Sequence, residues 1–281
     1  MFPIKYLLTA LSLIIITIST SYNQNPHDIL FYRTEIKNNE FTGNIVRYIF
    51  KSRTLKNKRD IYIWTPAEYD KSKKYPILFI HDGQNVFQSG NSHSEEEWHL
   101  DETVTGLIAN HEIEPIIMVG VANTKDRYDE YDPHLKGVDY GKALVNELIP
   151  ELDKRYSFDK HRICTMGASY GGLISLFLGW EFNETFSAAA CLSPAFNHRG
   201  YNYIGRLKKK EPPLNLKLAV VNGTEDLDSD LQLGVDEFIS YVDEKNFKKK
   251  DLLYWIDNGQ THTELAWANQ SKLIIKWLYK N

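Results

Sequence analysis

The sequence predicts an α/β fold: a mostly parallel, doubly wound sheet with an antiparallel hairpin at its N-terminal side. Short apolar runs ending in turns recur along the chain, as strands buried on both faces of a parallel sheet require. Segments with helical spacing alternate with those runs, the signature of right-handed strand–helix–strand crossovers. Ahead of both lies a pair of β-rich runs around a polar turn.

The elements follow in order. Residues 22–43 read as polar and turn-rich. "NIVRYIFKSRTLKNKRDIYIWTP" holds the hairpin, with strands near Asn44–Ser52 and Arg59–Trp64. The buried strands are "YPILFIHDG", "EPIIMVGVAN", "HRICTMGAS", "FSAAACLSPAF", "LNLKLAVVNGT" and "DLLYWIDNG". Between them, helical spacing marks Trp98–His111 and Tyr140–Tyr156, where Leu144, Leu148 and Leu152 recur every fourth residue and Pro150 predicts a kink or split. "GGLISLFLGWEF" is apolar nearly all round and should be buried. "LQLGVDEFISYVDEKNF" and "TELAWANQSKLIIKWLYK" complete the helices.

The 281 residues are 42% hydrophobic and 25% charged, an ordinary globular composition that suits one large α/β domain. A net charge of −4 and the lack of any long basic stretch make no case for nucleic acid. The N-terminus differs from the rest. Lys5 precedes an apolar run, Tyr6–Ile18, and then Ser19-Thr20-Ser21. This matches a secretory signal peptide over 1–21, because the apolar core is shorter than the roughly 20 residues a spanning helix needs. The expectation is a periplasmic or secreted mature chain, 22–281, forming a single domain with no stable membrane association. Cys164 and Cys191 each sit in a buried-strand run and read as two thiols rather than a disulfide. No Cys/His cluster has zinc-site spacing, so no metal is expected, and the chemistry read below needs no organic cofactor.

"GASYG", Gly167–Gly171, places Ser169 between a strand and a helix. That is the context of a nucleophile on a sharp turn, with the helix N-terminus beside a developing oxyanion. A serine hydroxyl needs a base, and the base needs an orienting acid, in the chain order Ser, Asp or Glu, His. After Ser169 there are two histidines. His198 comes too early for that order, whereas His262, between the last strand and the last helix, fits. "NGTEDLDSD" offers Glu225, Asp226, Asp228 and Asp230. Asp226, three residues past Gly223, is the expected acid, with Glu225 the alternate; Asp228 and Asp230 read as helix-start residues that suit the dipole. The oxyanion donors expected are the backbone N–H of Tyr170 and the loop at Gly83 and Gln84. His81 and Asp82 in that loop read as structural support.

Taken together, "YPILFIHDGQNVF", Glu97-Trp98, "VGVANTKDRYDEYDP", "GASYGGLISL", "LSPAF", "NGTED" and "GQTHTELAW" resemble, in order and spacing, the esterase D-like family of α/β-hydrolases. The resemblance covers about residues 44–279. The family includes enterobactin esterases, feruloyl and acetyl-xylan esterases and S-formylglutathione hydrolase. It implies the α/β-hydrolase fold, Ser169 as nucleophile, His262 as base and Asp226 as acid. It also implies that Asn123, Arg127 and Glu130 organise a loop beside the site, the latter two through ion pairing. Tyr170 departs from the Met or Leu common after the family's serine, and the segment 197–213 is basic and Tyr-bearing. Trp98, Tyr201 and Trp267 are expected at the pocket rim. The expected function is an exported serine ester hydrolase acting on carbohydrate-linked acyl or feruloyl esters. A siderophore esterase of the enterobactin type and an acyltransferase with the same triad are the alternatives.

Overall fold

The computed structural model describes residues 30–34, 41–87, 96–198 and 200–280. The leader expected over 1–21 lies outside them. The strands are β1 (Leu30–Thr34), β2 (Asn44–Lys51), β3 (Lys58–Thr65), β4 (Tyr75–His81), β5 (Ile117–Val121), β6 (Phe158–Ala168), β7 (Phe186–Leu192), β8 (Asn197–His198), β9 (Tyr201–Asn202), β10 (Lys217–Gly223) and β11 (Leu252–Asp257). The α-helices are α1 (Leu100–Ala109), α2 (Arg127–Tyr131), α3 (Gly137–Ala143), α4 (Ile149–Asp153), α5 (Tyr170–Glu181), α6 (Ile204–Leu207), α7 (Leu227–Glu244) and α8 (Glu264–Tyr279).

Among the described residues one sheet of nine strands runs β1-β2-β3-β5-β4-β6-β7-β10-β11, and β8 pairs with β9 apart from it. From β5 to β11 the strands are parallel, and β1, β2 and β3 join antiparallel. The hairpin therefore forms where its alternating pattern predicts it. β1 departs from the turn-rich reading of 22–43. It is a short edge strand whose Phe31 stacks on Tyr48, 4.3 Å between ring centroids, while Tyr32 and Arg33 face solvent. One inward ring is too little alternation to read from sequence.

Alternate residues of the central strands feed two cores. Ile77 and Phe79 of β4 face the side covered by α3, α5 and α7, and Leu78 and Ile80 face the side covered by α1 and α8. Cys164 and Cys191 fall in opposite cores and are both buried free thiols, as expected. Helix α5 is buried at every residue from Gly171 to Trp180, in keeping with its all-round apolar sequence. The segment 140–156 is divided as Pro150 predicts: a π-helical stretch, Leu144–Leu148, separates α3 from α4, which carries Pro150 in its first turn. That stretch aims Glu147 at the β2–β3 turn. Its carboxylate accepts from Ser52 Oγ (2.8 Å), Thr54 Oγ1 (2.6 Å) and the N–H groups of Arg53 and Thr54 (3.0 Å each).

The chain leaves β4 for β5 on one side and then crosses to β6 on the other. Strand order thus reverses beside β4, and the carboxyl ends of β4 and β6 flank the crevice where ligands bind in such sheets. His81 ends one strand and Ala168-Ser169 the other.

Candidate active site

Ser169 lies between β6 and α5 with φ 59° and ψ −123°, backbone that a non-glycine residue adopts only under constraint. Hydrogen bonds hold it there. Its N–H donates to Leu192 O (2.9 Å), and its carbonyl accepts from Gly172, Leu173 and Ala195 N–H (3.0, 3.1 and 3.1 Å). Glycine is required at 167 because a Cβ there would lie 2.6 Å from the Gly171 carbonyl carbon. The small flanking residues therefore let strand and helix close on each other, with the serine at the apex.

His262 occupies the loop between β11 and α8, and its Nδ1 is 2.6 Å from Asp228 Oδ1. A carboxylate only accepts, so Nδ1 carries the proton and Nε2 is the basic nitrogen. Ser169 and His262 line the same open cleft of about 660 Å³, together with Asp82, Gln84, Asn85, Trp98, Asn123, Lys125, Tyr128, Glu264 and Trp267.

The carboxylate at His262 is Asp228, and neither Asp226 nor its alternate Glu225. Asp226 caps α7 with φ 50°, and both it and Glu225 are exposed. Asp228 is fully buried, and its Oδ2 accepts from Ser193 Oγ (2.8 Å) and Gly223 N–H (3.0 Å). The reason lies in the register of α7. Its inward stripe is Leu231, Val235, Phe238 and Val242, and position 228 is one turn before Leu231 on that stripe. Asp230 is off the stripe and exposed. The stripe was present in the sequence; counting back along it from Leu231, rather than forward from Gly223, leads to Asp228.

The oxyanion candidates separate. Gln84 lines the cleft, and its side-chain oxygen accepts from Asn123 N–H (3.0 Å), tying the β4 and β5 loops together. Gly83 does not line the cleft and is packed on Gly120, whose carbonyl carbon would be 2.2 Å from a Cβ at 83. Tyr170 opens α5 directly after Ser169, and its ring meets Tyr128 edge to face at 5.2 Å. Trp98 and Trp267, expected at the rim, and Asn123, expected beside the site, line the cleft. Tyr201 does not. It packs against His134, 4.9 Å between centroids, on a short ribbon that Asn197 and Asn202 tie to Glu237 of α7 through their side-chain amides (3.3 and 3.1 Å).

His81 and Asp82 are structural supports. His81 is fully buried between Tyr140 Oη and Thr165 Oγ1, 2.9 Å from each, and burial pushes it down to about 3. Burial acts to raise Asp82, but the Arg127 guanidinium, 2.7 and 2.8 Å from its two oxygens, holds it below the usual carboxylate range. Asn123 Nδ2 also donates to Asp82, at 2.6 Å. Glu130 forms a buried ion pair with Arg59 (2.7 Å). Among the described residues, Glu97, His99 and Glu102 bring possible metal-ligating atoms within 4.8 Å of one another; none of them lines the cleft.

Against known proteins, the family model described as "Putative esterase" matches residues 52–275. The endo-1,4-beta-xylanase/feruloyl esterase of Xylanibacter ruminicola is 24% identical, over 90% of this chain and 33% of that one. The iron(III) enterobactin esterase of Escherichia coli O6:H1 is 25% identical, over 78% of this chain and 53% of that one. The enterobactin esterase of Shigella flexneri, solved in the presence of enterobactin, superposes with a TM-score of 0.67 at 19% identity, covering 84% of this chain and 58% of that one. The chain thus spans a third of the first relative and little more than half of the other two. The family match extends over most of the chain and coincides with the strands and loops that carry Ser169, Asp228 and His262. The chain belongs to this esterase family and has the α/β-hydrolase fold.

Proposed function

We propose that the chain is a serine carboxylic-ester hydrolase using Ser169, His262 and Asp228. The observation that carries this reading is a serine on a strained strand–helix turn, sharing a cleft with a histidine whose Nδ1 is held by a buried aspartate. Ser169 Oγ attacks the ester carbonyl carbon as His262 Nε2 takes its proton. Asp228 fixes the tautomer and stabilises the imidazolium. The oxyanion is met by the backbone N–H groups of Tyr170 and Gln84 at the mouth of α5. His262 returns the proton to the departing alcohol, and water, deprotonated in turn by His262, releases the acid. Loss of p-nitrophenyl acetate hydrolysis in Ser169→Ala, with the fold intact by circular dichroism, is the expected result; full activity in that variant rejects the reading.

For substrate, we propose carbohydrate-linked acyl or feruloyl esters. Exposed Tyr128 supplies an aromatic face, buried Trp98 and Trp267 form an apolar wall, and Asn85, Asn123 and Gln84 supply amides, in a cleft far larger than an acetyl group needs. The apolar leader over 1–21 supports export, leaving 22–281 as one catalytic domain in the periplasm or medium. A siderophore esterase is the second reading. It is favoured by exposed Lys125 at the cleft, which suits an anionic ligand, and by the enterobactin esterases among the relatives. An acyltransferase would share the acyl-enzyme. Rates on acetyl-xylan, feruloyl and enterobactin esters, with and without added carbohydrate acceptor, separate the three.

A further inference from the structure

The segment "LSPAF" begins with a serine that the steps above do not use. Ser193 directly follows β7, is fully buried, and has φ 40°. Its neighbours lock it to the machinery. Ser193 N–H donates to Val221 O on β10 (2.8 Å), and Ala195 N–H donates to Ser169 O (3.1 Å). Its hydroxyl sits between Trp267 Nε1 (3.0 Å) and Asp228 Oδ2 (2.8 Å).

The direction of this chain of bonds follows from the groups in it. An indole N–H only donates and a carboxylate only accepts. Trp267 therefore donates to Ser193, Ser193 donates to Asp228, and Asp228 accepts from His262 through its other oxygen. The single hydroxyl proton has one place to go. With Gly223 N–H, it fixes the rotation of the carboxylate and hence the line along which Oδ1 meets Nδ1. Trp267 closes the arrangement, its ring edge-on to the His262 imidazole at 4.9 Å and 88°. A backbone at φ 40° would be unstrained with glycine. Serine here holds a strained backbone and supplies the one hydroxyl between Trp267 and Asp228.

We infer that Ser193 is a positioning residue of the esterase reaction, its hydroxyl orienting the Asp228 carboxylate that holds His262. The inference rests on the triad reading above. Two variants test it on a soluble ester. Ser193→Ala removes the hydroxyl and keeps the backbone strain; Ser193→Gly removes the hydroxyl and relieves the strain. Both are expected to lower kcat about tenfold, as loss of one hydrogen bond to a charged group implies, with KM within about twofold. Ser193→Gly is expected to melt at or above Ser193→Ala. Wild-type kcat in Ser193→Gly, or kcat that follows the folded fraction across the two variants, makes the hydroxyl a packing group and overturns the inference. Activity surviving in Ser169→Ala and Asp228→Asn would instead overturn the triad itself.

Discussion

Two histidine–aspartate pairs stand at the carboxyl edge of the sheet, and their surroundings make them opposites. His81 and Asp82 are adjacent in sequence at the end of β4. Both ring nitrogens of His81 are committed to hydroxyls in the core, and Asp82 is committed to Arg127 and Asn123. A histidine pushed down to about 3 stays neutral at working pH and is a poor proton carrier. His262 and Asp228 are 34 residues apart. There the aspartate is sealed and the histidine ring reaches the cleft, with side-chain exposures of 0% and 16%. The same two residue types form a strut in one place and, in the proposed reaction, a base with its orienting acid in the other. Burial of the ring and the identity of its second partner make the difference.

The largest expected effect sets the acid apart from its neighbour. Asp228→Asn should lower kcat by about 10³-fold or more, since an amide favours the wrong imidazole tautomer. Asp226→Asn, on an exposed cap, should stay within about twofold. Steady-state kinetics on one ester decides between them, and the reverse ranking would restore Asp226 as the acid.

At the other pair the effect should fall on stability. Asp82→Asn strips the partly buried Arg127 of its counter-charge and should cost about 3 kcal/mol in urea unfolding. The pH dependence has a defined sign. Asp82 lies below its unfolded value, near 4, so its contribution is present above that pH and is lost as pH falls through the lower folded value. The variant should therefore show a flatter acid limb of stability than the wild type.

Glu147→Gln removes the charge that fastens the β2–β3 turn and should cost about 2 kcal/mol by the same measurement, with kcat unchanged. The last effect, at Asp101 in α1, is a slope with pH rather than a fixed loss at neutral pH. Burial, and then its contact with Glu102, raise it to about 7, with Thr42 N–H (2.9 Å) acting the other way. The folded state then holds a proton that the unfolded chain has released, so wild-type stability should decline between about pH 4 and 7. Asp101→Asn should gain on the wild type as pH rises from 5 to 8 in thermal melts; a constant difference would refute the sign.

Most of the fold was legible because the buried strands are continuous apolar runs and the helices carry a clear stripe. β1 was not, since one inward ring cannot establish a period of two. The elbow at Ser169 and the place of His262 were legible because glycine spacing and chain order are local properties. The carboxylate that meets His262 was expected two residues too early. Counting from Gly223 treats the loop as extended, whereas α7 starts at Leu227 and its rotation turns Asp228 inward and leaves Asp226 in solvent. Tyr201 was misplaced because a two-residue ribbon leaves no pattern of its own direction.

By itself, then, the sequence determined the layered α/β architecture, the strained serine and the order of the groups around it. These follow from periodicity and from glycines such as Gly167, whose missing side chain lets strand and helix close on each other. Only the tertiary structure decided which carboxylate meets His262, which histidine is a strut, and that Ser193 lies behind the acid. Those contacts join β6, β7, β10, α7 and α8, segments far apart in the chain. Their meeting is set by helix rotation and strand order rather than by any local pattern.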